Sequence, residues 1–274
     1  MSVKKEASGR RSIQVEVEVP GTPEEVWQAI ATGPGISSWF VPTQLDERDG
    51  KPTSVKMDFG PGMEMQAAVK AWEPLRKWSA ESPPWVPGAP PITGEWSIEA
   101  RAGGTCIVRI VQSLFAGTDD WDNQLEGAEY GWPGFLRALK LYLTHFRGQR
   151  SAAMKWMAPA AGTEAEAWGT LLAAVGLNGV KVGQRWTAPA GVPAFSGVVE
   201  YVAQSPYDAL LRLDKPGPGI AALGAMNFGG QSMVALGFYL YGEGAVGTVA
   251  KEAPLWDGWI QKRFPMPAEP GKGE

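Results

Sequence analysis

Side chains able to do acid, base or nucleophilic chemistry are scarce in this chain. Its 274 residues include one histidine, His145, and one cysteine, Cys106. A single histidine cannot build a histidine-rich zinc site, and a single cysteine cannot build a thiolate one. His145 would act as a general base if it faced a cavity. Near the end of a helical pattern, its other role is a cation at the negative end of the helix dipole. A Ser-His-Asp arrangement would find no Gly-x-Ser-x-Gly elbow here to present its nucleophile. Cys106 lies in an apolar strand pattern beside Ile107, the setting of a buried, inert thiol.

Acidic and glycine-rich clusters invite the same test. Asp119, Asp120 and Asp122 could offer oxygen ligands to a metal, but they also stand where a helix N-terminus wants negative charge. Glu16 and Glu18 resemble an acid/base pair, yet they alternate with Val15, Val17 and Val19, as on the wet face of a strand. The glycine-rich stretch 214–230 lacks the Gly-Lys-Ser/Thr ending of a phosphate loop, and no helix follows it, so a hairpin is expected. These residues lead to no catalytic set, no metal site and no cofactor.

The elements that would position a site are clearer. Residues 12–19 alternate with period two and form a strand. Thr22-Pro23-Glu24-Glu25 is a helix start: a capping hydroxyl, a proline in the first turn, and carboxylates at the positive dipole end. Gly33-Pro34-Gly35 is expected to stop that helix, with a second short one over 36–40. Strands are expected at 43–47, 53–59, 63–73, 76–81, 94–101 and 105–115. Apolar residues then recur at helical spacing as far as Phe146, and Pro133 places the start of that helix near 130–133. The 13 tryptophans supply large rigid apolar surfaces, and 35 glycines with 23 prolines imply many turns. The net charge of −4 argues against a nucleic-acid partner. No apolar run is long enough to span a membrane, and the polar first residues lack the core of a secretory leader. With one cysteine, a cytoplasmic protein is expected.

The second half echoes the first. A shift of 141 carries Gly21-Thr22, Glu25 and Trp27 onto Gly162-Thr163, Glu166 and Trp168. Trp132-x-Gly134-Phe135-Leu136 returns as Trp256-x-Gly258-Trp259-Ile260, now offset by 124. The chain therefore reads as a duplication with one copy shortened. The expected organisation is a disordered tail (1–11), a first domain (12–149), a shortened second domain (150–265) and a second disordered tail (266–274).

The order of strand, two short helices, six strands and a long helix resembles the helix-grip fold of the START and birch-pollen-allergen-like (SRPBCC) superfamily. The nearer likeness is to the branch of the C-terminal domain of the activator of Hsp90 ATPase. It is carried by Thr22-Pro23-Glu24-Glu25-Val26-Trp27, Gly35-Ile36-Ser37-Ser38-Trp39-Phe40, Asp58-Phe59-Gly60-Pro61-Gly62, Val69-x-x-Trp72-Glu73-Pro74 and Gly131-Trp132-x-Gly134-Phe135-Leu136. The Gly35–Phe40 element and the Trp-Glu-Pro turn have no counterpart in the second half. The resemblance implies an α+β helix-grip fold: a curved antiparallel sheet around a long C-terminal helix, with two short helices after the first strand, in two tandem copies. It also implies an apolar cavity between sheet and helix.

On that layout Trp39, Phe40, Phe59, Trp72, Trp78 and Trp96 are candidates to line the cavity, together with Phe115, Trp132, Phe135 and Leu139. Glu64, Gln66, Arg109 and Tyr130 are candidate polar anchors. Three functions follow. The first is binding of a hydrophobic small molecule such as a lipid or polyketide. The second is a chaperone-regulating or other protein-binding module. The third is a cyclase or hydrolase acting on a hydrophobic substrate, which would need an acid or base positioned in the cavity.

Overall fold

A computed structural model describes residues 3–60, 62–84, 87–204 and 207–265, in two compact units, Met1–Arg150 and Ser151–Glu274. The first unit runs β1 (Lys4–Lys5), β2 (Arg10–Pro20), α1 (Pro23–Ala31), α2 (Gly33–Ser37), β3 (Thr43–Arg48), β4 (Lys51–Asp58), β5 (Glu64–Glu73), β6 (Lys77–Ser82), β7 (Ile92–Arg101), β8 (Thr105–Phe115) and α3 (Asp122–His145). Its strands form one curved antiparallel sheet in the order β1-β2-β8-β7-β6-β5-β4-β3. The long helix α3 packs on β2 and β8. The alternation in β2 is realised as expected: Ile13, Val15 and Val19 are buried, while Gln14, Glu16 and Glu18 are exposed.

The helix starts follow from their caps. Thr22 accepts from the Glu25 amide and Glu25 returns a hydrogen bond to the Thr22 amide, so two orphan donors are satisfied reciprocally. The expected break at Gly33-Pro34-Gly35 is instead the beginning of α2. Only Thr32 separates the two helices, and its hydroxyl accepts from the Gly35 amide at 3.0 Å. Proline suits a first turn because its missing donor is not needed there. Gly35 is required by contact: a Cβ there would lie 1.8 Å from the Gln28 carbonyl oxygen.

The expected tail over 1–11 is not a tail where the structure describes it. β1 pairs with β2, Lys4 opposite Ser12. Arg11 is 7% exposed, donates to both Asp122 oxygens at 2.7 and 2.9 Å, and reaches Asp119 at 2.6 Å. Lys5 joins the same carboxylates. Two charges separated in sequence by more than a hundred residues thus tie the first turn of α3 to the sheet, a long-range pairing that local composition does not reveal. Asp119 and Asp122 of the acidic cluster are thus held in ion pairs, Asp120 accepts from the Thr118 hydroxyl, and none of the three caps α3, whose N-cap is Trp121.

These pairings have a pH consequence. The hydrogen bond from Lys5, then that from Arg11, holds the Asp119 carboxyl below its usual range; Arg147 does the same for Glu25. A carboxyl with a depressed folded pKa stabilises fully above its unfolded value and loses that contribution as pH falls through the folded one. The urea midpoint of the first unit should therefore fall on acidification through and below the ordinary carboxylate range. Asp119→Asn should lower the midpoint at neutral pH and flatten part of the acid loss.

The helix α3 begins at Asp122, eight residues or more before the expected start, and passes through Pro133. Its first half is held by packing. Leu125 is fully buried against Ile13, Ile92 and Leu114, with Trp121, Ala128 and Trp132 around them. Tertiary burial outweighs the missing hydrogen bond at proline.

The second unit runs β9 (Ser151–Pro159), α4 (Glu164–Val175), β10 (Arg185–Thr187), β11 (Ser196–Val202), β12 (Tyr207–Lys215), β13 (Gly219–Phe228), β14 (Gln231–Tyr241) and α5 (Ala245–Arg263). Its antiparallel sheet has the order β10-β11-β12-β13-β14-β9. The duplicated helix start folds identically: Thr163 and Glu166 form a second capping box. Gly21 and Gly162, each just before the cap, both take positive φ, +130° and +78°. At Gly162 a Cβ would come within 2.4 Å of the Glu166 carboxylate that closes the box. No second short helix follows α4 before β10. The expected tail at 266–274 lies outside the described residues.

The same tryptophan device recurs in both units. The last turn of a helix leaves carbonyls without helical partners. In the first unit the Trp39 indole donates to Ala29 at 2.9 Å and the Trp78 indole to Ile30 at 3.0 Å, both at the end of α1. In the second, the Trp186 indole donates to Val175 at the end of α4, again at 2.9 Å.

Candidate functional site

In the first unit a cavity of about 410 Å³ lies between the sheet and α3. Four strands provide one wall through their inward positions: Val55 and Met57 on β4, Met65 and Ala67 on β5, Trp78, Ala80 and Ser82 on β6, and Ile92, Gly94 and Trp96 on β7. Gln112 on β8, and Phe40 and Phe59 from the connections, extend it. The opposite wall is one face of α3: Gln124, Gly127, Ala128, Gly131, Trp132 and Phe135, at steps of three and four.

Size and lining have a common physical origin. The sheet curves, so one helix cannot fill its concave face, and the positions where filling would occur carry small residues. A Cβ built at Gly94 or Gly127 meets nothing within 4 Å, and at Gly131 only the Phe135 ring at 3.9 Å. Between the aliphatic positions the walls carry stiff aromatic surfaces. Trp78 and Trp96 stack at 5.8 Å with 5° between planes, Trp132 stands on edge to Trp96 at 5.1 Å, and Phe135 on edge to Phe40 at 4.5 Å. Trp78 is further immobilised by its bond to Ile30.

The electrostatics are those of a neutral site. No Asp, Glu, Lys, Arg or His is among the described residues lining the cavity. Ser82 donates to the Ile92 carbonyl. The Gln124 carboxamide is buried, and neither its nitrogen nor its oxygen has a hydrogen-bond partner in the protein.

Of the residues expected to line a cavity, Phe40, Phe59, Trp78, Trp96, Trp132 and Phe135 do so. Trp39 and Leu139 are fully buried in the core away from it. Trp72 packs beside Trp27 at 5.1 Å and Trp78 at 6.0 Å, off the cavity. Arg109 and Phe115 face the other side of the sheet. Inward positions of β8 are Cys106, Val108, Ile110, Gln112 and Leu114, and the period of two sends Arg109 outward to Glu16 at 3.1 Å and leaves Phe115 64% exposed. Glu64 and Gln66 are likewise exposed, because Met65 and Ala67 take the inward phase of β5. Tyr130 lies in α3, but its side chain falls outside the described ones. His145 is exposed in the last turn of α3, remote from the lining. Cys106 is fully buried; desolvation above all, and then the charges of Glu24 and Glu25, push its thiol pKa up, the opposite of an activated thiol.

The sequence reading missed Gln124, the three glycines and the apolar positions of β4 and β5. The signal for Gln124 was the helical spacing that links it to Gly127, Gly131 and Phe135, and it is visible only if the helix is carried back through Pro133.

At the equivalent place of the second unit, between sheet and α5, rings are packed together. Trp256, fully buried on α5, lies 4.9 Å from Phe238, 5.2 Å from Phe195 and 6.0 Å from Trp156.

A curved antiparallel sheet closed by a long C-terminal helix over an apolar cavity defines the helix-grip (SRPBCC) class. Residues 20–144 match the family described as Activator of Hsp90 ATPase homolog 1-like protein, so the first unit is a helix-grip domain related to that branch. No curated protein matches the chain at a significant level. Among solved structures, the di-domain ARO/CYC BexL from the BE-7585A biosynthetic pathway is 12% identical, with 94% of this chain and 100% of that chain covered at a TM-score of 0.46. DynU16, a putative protein in the dynemicin biosynthetic locus, is 16% identical over 92% and 95% at 0.40. The Aha1 dimer from Colwellia psychrerythraea is 20% identical over 50% and 98% at 0.39. Likenesses this distant identify neither ligand nor activity. No helix among the described residues is long and apolar enough to cross a membrane.

Proposed function

We propose that the first unit binds a hydrophobic small molecule in the cavity between its sheet and α3. The observation that carries this reading is a 410 Å³ space walled by stacked and edge-on aromatic rings with no charged side chain among the described lining. Ligand sites are typically of about 300–1,000 Å³ and mostly apolar, with a few placed polar groups. Burying about 300 Å² of apolar ligand surface would contribute on the order of 7 kcal/mol before the cost of association. The neutral lining supplies no acid, base or nucleophile beyond a serine hydroxyl already donating to a carbonyl, which favours binding over turnover. Titration of the whole chain with a fluorescent hydrophobic probe should saturate, and native mass spectrometry of protein from its own host should show a bound neutral mass. Failure of both would overturn the reading. The match to the Hsp90-activator family favours a second reading, regulation of a chaperone through the protein surface. Stimulation of an Hsp90-type ATPase by this chain, unaffected when the cavity is filled by mutation, would support that reading instead.

A further inference from the structure

The Gln124 carboxamide lines the cavity, is shut off from solvent, and leaves both its Nε2 and its Oε1 without a protein partner. Buried amides are almost always hydrogen-bonded, so an orphaned one calls for an explanation. A carboxamide presents a donor and an acceptor side by side, and nothing else among the described lining offers a buried, unpaired pair of this kind. The remaining described wall combines aromatic rings with aliphatic side chains, its other polar side chains are Ser82 and Gln112, and charged partners are missing from it.

We propose that Gln124 is the specificity-determining residue of this cavity, and that the occupant is a neutral, flat, largely apolar molecule with a lactam-like edge: an N–H or O–H donor adjacent to a carbonyl acceptor. Resting on the binding function proposed above, the assignment adds the chemical class of ligand. The occupant lays a ring face against the wall that Trp78, Trp96 and Trp132 form together, and its polar edge meets the Gln124 amide with two antiparallel hydrogen bonds. Anions and cations are excluded because the lining gives them no counter-charge and the site would have to desolvate them. A site whose buried amide is left unpaired by the wrong ligand discriminates strongly, since that amide then stays unsatisfied.

The test uses the full chain and three probes with one skeleton: phenanthridinone (a lactam), phenanthrene (no polar edge) and phenanthrene carboxylate (an anion). Phenanthridinone should bind at least about tenfold more tightly than phenanthrene, the range expected from satisfying a buried amide, and the carboxylate more weakly than either. Gln124→Leu, close in size and apolar, should keep phenanthrene binding and erase the preference. Phenanthrene binding by the variant also reports that its cavity is intact. Equal affinities in the wild type, or a preference that survives in Gln124→Leu, would overturn the assignment while leaving hydrophobic binding in place. If no probe binds the wild type, the binding function and this assignment fall together.

Discussion

Gly94→Ile should abolish saturable binding of a hydrophobic probe while leaving the first unit at least as stable as before. Gly94 stands on β7 between two cavity-lining residues, Ile92 and Trp96, so the strand period aims its missing side chain into the cavity. A Cβ there meets nothing within 4 Å, so the isoleucine enters open space rather than a packed neighbour. Glycine within a strand costs roughly 0.5–1 kcal/mol of conformational entropy relative to alanine, and a β-branched residue suits the pleat better. Filling a void commonly adds about 0.5–2 kcal/mol. Probe titration and urea denaturation of the same sample separate the two effects. Probe affinity should drop by at least about tenfold, and the unfolding midpoint should stay level or rise. A variant that unfolds easily yet still binds would show that the cavity wall is elsewhere.

Trp39→Ala should be the most damaging single truncation in the first unit. The ring is fully buried, stacks on Phe40 at 5.6 Å and meets Trp96 edge-on at 6.1 Å, and its indole satisfies the last-turn carbonyl of Ala29. Removing a buried tryptophan costs about 3–5 kcal/mol, a large share of the roughly 5–15 kcal/mol that holds an ordinary domain folded. Trp39→Phe keeps much of the apolar area but strands the carbonyl, and should cost about 1–3 kcal/mol. Chemical denaturation followed by the first unit's far-ultraviolet signal measures both. Nearly equal losses for the two variants would mean that the hydrogen bond, not the ring, carries the contribution. Since Trp39 does not line the cavity, Trp39→Phe should leave probe affinity unchanged under conditions where the protein is fully folded.

The helix starts, the strand alternation and the duplication could be read from residues alone, because each is a local matter. Thr22 and Glu25, like Thr163 and Glu166, sit three apart, and the capping box they form depends on nothing beyond that turn. The alternation of β2 likewise declares its own faces. A broken and restarted helix at 33–35 was misplaced by a few residues because glycine and proline can end one helix or open the next, and the choice rests on Thr32 capping α2.

Whatever depended on distant residues was decided only in three dimensions. Whether α3 continues back through Pro133 turns on Leu125 finding Ile13, Ile92 and Leu114, and on Arg11 finding Asp122. Once that helix begins at Asp122, Gln124 and Gly127 join Gly131 and Phe135 on one face, and the polar end of the cavity exists. Strand phase decided the rest: Arg109 and Phe115 face outward because β8 turns Ile110 and Gln112 inward, and the irregularity of β5 between Val69 and Ala71 sets Met65 and Ala67, rather than Glu64 and Gln66, toward the helix. The aromatic residues were legible as types that line pockets. Which of them form a wall and which fill the core was settled by packing, since a buried tryptophan such as Trp39 and a lining one such as Trp96 have the same local sequence character and differ only in what stands opposite them.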